Sequence, residues 1–174
     1  MQDGALPRVT YLSLFKNKIG DEGAVSLFRS IAGGALRDLT VLLLNSNQVS
    51  DAGAVALSDA AAAGELRRLA KLCISNNQIG DRGAFALAAA AAAGGLSGLR
   101  CVVLERNRIG RDGMRALALA IETSDAFLGC TADPNASMAW ARGVNHIFLK
   151  FNPADAAPVL HALEVRRSCR HRHV

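Results

Sequence analysis

The residues best equipped for chemistry in this 174-residue chain do not assemble into a reaction centre. Its histidines are His146, His161, His171 and His173, all toward the carboxyl end, and no serine or cysteine stands at a recognisable nucleophile elbow. Cys169, His171 and His173 form a C-x-H-x-H run that can capture a metal ion, yet no second cluster of ligands accompanies it. No phosphate-cradling glycine loop occurs, since the regularly repeated glycine returns once per repeat, and no pair of acids is set apart by its surroundings. Neither catalysis, nor a cofactor, nor a metal is expected. What does recur is asparagine, at Asn17, Asn47, Asn77 and Asn107, and that spacing defines the elements around it.

Four segments align without a gap at a period of 30 residues: YLSLFKNKIGDEGA from Tyr11, VLLLNSNQVSDAGA from Val41, KLCISNNQIGDRGA from Lys71 and CVVLERNRIGRDGM from Cys101. Three residues before each asparagine come Leu14, Leu44, Ile74 and Leu104; five before, Leu12, Leu42, Leu72 and Val102. Two apolar residues separated by one obey strand alternation, so both point to the same side. The asparagine follows where the chain turns, its amide suited to satisfying backbone groups there, and stacked asparagines are expected to form a ladder between coils. Asp21, Asp51 and Asp81 stand where a helix begins and are expected to cap its free amides. Gly23, Gly53, Gly83 and Gly113 are expected to let the helix approach the strand layer, and Gly33, Gly34, Gly64, Gly94 and Gly95 to end the helices. One coil reads strand, turn, helix, loop, and it can bury its leucines only by stacking on its neighbours.

The pattern LxxLxLxxN followed by I-G-D-x-G-A resembles the leucine-rich repeats of the ribonuclease-inhibitor-like subfamily, which includes the repeat regions of NOD-like receptors and Ran GTPase-activating proteins. The resemblance implies an α/β leucine-rich-repeat solenoid, a short right-handed horseshoe arc with parallel strands on the concave side and helices on the convex side. It implies a non-catalytic module that binds a protein partner through the concave strands and adjacent loops. A fragment of a NOD-like-receptor-type sensor and a GTPase-activating regulatory repeat protein are the alternatives it leaves open.

Four regular units occupy residues 6–123. The register then breaks: 124–143 reads as an irregular insertion or degenerate coil, and 144–165 as a terminal unit in which Val144, Ile147, Leu149 and Asn152 hold the expected offsets. Together 1–165 form the repeat domain. Pro153 and Pro158 are expected to confine the last helix to about 159–165, leaving 166–174 as a basic disordered tail.

Charge follows the same division. The net +5 arises almost wholly in that tail, where Arg166, Arg167, Arg170 and Arg172 stand without an acid, so the charge does not argue for a nucleic-acid-binding fold. The longest Ala/Gly-rich run, 84–95, falls short of the roughly 20 apolar residues a membrane span needs. No secretory leader is recognisable, and scattered Cys73, Cys101, Cys130 and Cys169 form no disulfide framework, which together suit a cytoplasmic setting. Without a leader, the Asn135-Ala136-Ser137 triplet is not expected to be glycosylated.

The partner-binding residues expected on the concave side are Tyr11, Ser13 and Phe15 in unit one, Val41, Leu43 and Asn45 in unit two, Lys71, Cys73 and Ser75 in unit three, and Val103, Glu105 and Arg106 in unit four. Arg100, Arg106, Arg108, Arg111 and Arg115 crowd the fourth unit against Glu105 and Asp112, which reads as a solvated loop face. Asn17, Asn47, Asn77 and Asn107 are assigned to structure rather than to binding.

Overall fold

A computed structural model describes residues 8–123, 146–149, 152 and 157–170. Strand and helix alternate throughout: β1 Tyr11–Ser13, α1 Asp21–Ala32, β2 Val41–Leu43, α2 Asp51–Ala62, β3 Lys71–Cys73, α3 Asp81–Ala92, β4 Cys101–Val103, α4 Arg111–Thr123, β5 His146–Phe148 and α5 Ala157–Arg170. The strands form one parallel sheet in chain order, and the register holds the 30-residue offset through β4, with Leu12 opposite Leu42, Leu42 opposite Leu72 and Leu72 opposite Val102. The chain is an α/β solenoid, each coil contributing one strand and one helix.

Its core lies between the sheet and the helices. Leu42, Leu44, Leu72, Ile74, Val102 and Leu104 enter it from the strand side, while Phe28, Leu57, Leu87 and Leu117 meet them from the helices. Alanine thins the contact between helices: Ala60 and Ala61 of α2 and Ala90 and Ala91 of α3 are buried, so neighbouring helices approach without large side chains to separate them. Each of the first three helices is followed by a glycine in the left-handed region, Gly34, Gly64 and Gly94 at φ of 95°, 85° and 81°, where an L side chain is strained.

The asparagine ladder forms and has a direction. Each amide reaches back to the preceding coil: Asn47 Oδ1 accepts from the Ile19 N–H at 3.0 Å while its Nδ2 donates to the Leu14 and Leu44 carbonyls. Asn77 and Asn107 repeat the arrangement with Val49 and Ile79 at 3.0 and 3.1 Å. Asn152 extends it, accepting from the Ile109 N–H at 3.3 Å and donating to Leu104 and Leu149. With Val102 opposite Ile147, this places β5 in the ladder as a fifth coil despite the broken spacing.

Three expectations need correction. The helix-start aspartates do not cap their own helices; at Gly20, Ser50 and Gly80, the residues before α1, α2 and α3, no side-chain cap bond forms. The carboxylates instead reach forward to the next coil. Asp51 Oδ1 accepts from the N–H groups of Gly80 and Gly83 at 2.7 and 2.9 Å, and Asp81 Oδ1 from Gly110 and Gly113 at 2.6 and 3.0 Å. A helix amino end has unpaired donors and a positive dipole, so an acceptor from a neighbouring coil serves as well as one from its own.

The second correction follows from the first. Gly83 makes room for the preceding coil as well as for the core of its own: a Cβ there would lie 2.8 Å from Asp51 Oδ1, 2.9 Å from Ala54 Cβ and 2.7 Å from Ile79 Cγ2.

The third concerns the carboxyl end. Helix α5 begins at Ala157, includes Pro158 and runs to Arg170, so residues 166–170 of the expected disordered tail are helical. Proline in a first turn costs no intrahelical bond, because the N–H it lacks has no partner there anyway. The insertion at 124–143 with its Asn135 triplet, Val144 and the tail residues His171, Arg172 and His173 lie outside the described residues.

Candidate functional site

Because β-strand side chains alternate, Leu12, Leu42, Leu72 and Val102 turn into the core, and the residues on either side of them turn away from it. Two rows result, Tyr11–Val41–Lys71–Cys101 and Ser13–Leu43–Cys73–Val103, each aligned across the strands. A third row, Phe15, Asn45, Ser75 and Glu105, stands just after the strands. The residues that follow it, Lys16, Ser46, Asn76 and Arg106, all adopt left-handed backbone, with φ between 52° and 59°. This repeated turn swings the chain from the sheet toward the helix layer and fixes the third row at the border of the strand face.

The face is not uniform. Tyr11 and Phe15 in the first coil are 59% and 44% exposed, and the Lys16 ammonium lies 5.1 Å from the Phe15 ring centroid, a cation–π contact. Ser13 is also exposed. Val41, Leu43, Asn45, Lys71, Ser75, Val103 and Glu105 are half-buried, and Arg106 is exposed. Cys73 is only 7% exposed and offers a partner little surface. Burial pushes its thiol up to about 12, against the pull of the nearby Lys71 charge and with a smaller push from Cys101, so it stays protonated at neutral pH. Cys101 is buried as well, and neither cysteine is in a disulfide. The register puts Cys73 beside Val103 and Cys101 beside Lys71, which sets the two thiols on a diagonal.

Polar order within the face is local. Asn76 Nδ2 donates to Ser46 Oγ at 3.1 Å, while the Asn45 Oδ1 atom is buried and accepts from no described residue. Among the described residues no group of three or more His, Cys, Asp or Glu could hold a metal ion, and no helix is long and apolar enough to cross a membrane.

A profile of the family described as Leucine Rich repeat matches residues 7–28, 35–58, 69–88 and 98–118, half of the chain. The chain belongs to the leucine-rich-repeat family. Among solved structures it is similar to an internalin from Listeria monocytogenes, at 22% identity and a TM-score of 0.48, the match covering 89% of this chain and 39% of that one. No curated protein matches its sequence.

In leucine-rich-repeat terms, the structure brings the sequence-selected residues into three aligned rows, except Arg106, which lies in the left-handed turn beyond the third, and sets Asn47, Asn77 and Asn107 behind them, buried in the ladder. Asn17 is the exception, exposed and bonded, among the described residues, only to the carbonyls of Leu14 and Phe15 in its own turn.

The group that sequence reasoning assigned to the wrong partner is the forward-reaching carboxylate. Asp21 Oδ1 accepts from the N–H groups of Ser50 and Gly53 at 2.8 and 3.1 Å, and its Oδ2 accepts from the Ser50 hydroxyl. Burial alone would raise the Asp21 pKa; the three hydrogen bonds outweigh it and hold the carboxyl below its ordinary value. The signal in the sequence is the 30-residue recurrence of aspartate two residues before glycine, at Asp21, Asp51 and Asp81; only the stacking says which coil receives the carboxylate.

Proposed function

We propose that this chain is a non-catalytic protein-binding module of the ribonuclease-inhibitor-like kind, gripping a partner protein through its strand face and the loops that border it. The observation that carries the reading is the composition of the outward rows. Tyr11 and Phe15 are exposed at one end, half-buried Val41, Leu43 and Val103 continue the apolar stripe, and Lys71, Glu105 and Arg106 add charge beside it. A surface with accessible aromatic and aliphatic groups edged by polar ones suits a protein partner. The 12- and 13-residue helices of the four regular coils support the subfamily, and the undisulfided Cys73 and Cys101 support a reducing, cytoplasmic setting.

Size supports a part for the loops. Five strands of three residues, at about 4.8 Å between strands and about 3.3 Å per residue, present a projected area on the order of 240 Å². A standard interface takes about 800 Å² from each partner. The third row and the left-handed turn after it, from Phe15 and Lys16 to Glu105 and Arg106, therefore belong to the binding surface.

The test is affinity capture with the wild-type chain and with a Leu43→Glu, Val103→Glu double variant, circular dichroism showing that both are folded. Partners captured by the first and lost by the second are the expected result. Identical captures contradict the assignment of the strand face.

A further inference from the structure

The junctions between coils show what a coil surface carries when it is covered, and the amino-terminal surface of the first coil carries the same set with no described coil over it. At a covered surface three things recur. An asparagine Oδ1 accepts a backbone N–H from the coil before it, as Asn47 does from Ile19. Two N–H groups at the helix start receive a carboxylate from that coil, as Gly80 and Gly83 do from Asp51. An apolar set is sealed, as Leu39, Leu42, Leu44, Val49 and Leu57 are, each at most 2% exposed.

In the first coil the matching atoms are present. Asn17 Oδ1 accepts from no described residue, and among the described residues no carboxylate faces the N–H groups of Gly20 and Gly23. A Cβ on Gly20 would meet nothing within 4 Å, whereas one on Gly80 would lie 3.3 Å from the Asp51 carboxylate. The equivalent apolar residues Val9, Leu12, Leu14, Ile19 and Leu27 pack on the core but are only partly buried. The outer edge of β1 is joined by no strand of the described sheet.

The opposite end differs. Arg111 occupies the aspartate position of the fourth coil, and Pro158, which has no N–H, occupies the position in the fifth coil that glycine holds in the others. That junction therefore lacks the carboxylate and one of the two donor positions, whereas the first coil keeps both donors, the Gly20 and Gly23 N–H groups.

We propose that the amino-terminal face is a docking surface for one further leucine-rich coil, one whose helix opens on an aspartate. The occupant follows from continuity with the junctions already in the molecule: its aspartate would bridge Gly20 and Gly23, one of its backbone N–H groups would reach Asn17, and its aliphatic residues would seal Leu12 and Leu14. A second copy of this chain does not supply that chemistry. Two amino-terminal faces would set N–H donors against N–H donors, and the fifth coil carries Ala156, with Asp155 one residue short, where the aspartate is required four residues after Asn152. The inference concerns a different surface from the strand face and does not depend on it.

The test extends the full chain by its own coil. A copy of residues 38–67, which include Asp51, is inserted between Pro7 and Arg8, where it continues the 30-residue register. Expected are a melting temperature raised by on the order of 5 °C, from one added coil-to-coil interface, and amide exchange at Gly20 and Gly23 slowed at least roughly tenfold. Replacing the copy's aspartate by alanine keeps part of the rise in melting temperature and returns both amides to their wild-type rates. A copy of residues 68–97, carrying Asp81, repeats the experiment independently should the first insertion fail to fold. A folded insertion with both amides exchanging at wild-type rates overturns the proposal. So does sedimentation of the wild-type chain showing a dimer that Leu12→Glu abolishes, since that would make a second copy the occupant.

Discussion

The first and second coils carry almost the same residues at the same offsets, yet they live in different environments. Leu42 is fully buried and Leu12 only partly; Asn47 bonds across two coils and Asn17 only within its own turn. Gly53 would place a Cβ against Val49, Ala24 and Asp21, whereas Gly23 meets only Ile19 at 3.2 Å. Among the described residues, the second coil has a coil packed before it and the first does not. In a stacked array a residue's contribution depends less on its own type than on whether both of its neighbours are in place.

Substitution should expose that difference most strongly in the core. Leu42→Ala is expected to cost about 3 kcal/mol, because a buried leucine leaves both a transfer loss and a cavity. Leu12→Ala is expected to cost about 1 kcal/mol, since part of its surface already faces water. Urea denaturation of the two variants reads the gap, and equal losses would mean that the first coil is covered as fully as the second.

A smaller effect, with a change of sign, is expected at the paired glycines. Gly83→Ala pushes a methyl group into Asp51, Ala54 and Ile79, and is expected to destabilise by about 1–3 kcal/mol as overpacking. Gly23→Ala meets only a yielding isoleucine methyl, so the better helix propensity of alanine should prevail and raise stability by up to about 1 kcal/mol. Thermal unfolding of both variants checks the signs; a destabilised Gly23→Ala would break the comparison.

How much of this was legible beforehand follows from what kind of information each feature needs. The strand register was readable because one recurring pattern places Leu12, Leu42, Leu72 and Val102 alike, and stacking adds nothing to that placement. The rows of the strand face followed from alternation alone. The destination of the aspartate carboxylates was not readable. Asp51 opens its own helix and is a natural cap for that helix, yet its carboxylate bonds to Gly80 and Gly83 of the next coil, a partner that only the stacking reveals. The low exposure of Cys73 also required three dimensions, since an outward-pointing residue becomes buried when larger neighbours close over it. The full length of helix α5 is hidden in the sequence by Pro158, a helix breaker in most positions that here stands in the first turn.

The stacking of coils through the asparagine ladder is tested most directly by residue-resolved amide hydrogen exchange on the wild-type chain and on Asn77→Ala. The Val49 N–H donates to Asn77 Oδ1 and the Ile79 N–H to Asn107 Oδ1, so removal of the Asn77 side chain should accelerate exchange at Val49 well beyond any change at Ile79, on the order of tenfold or more. Equal acceleration at the two amides, or none at Val49, would contradict a ladder in which each asparagine holds the coil before it.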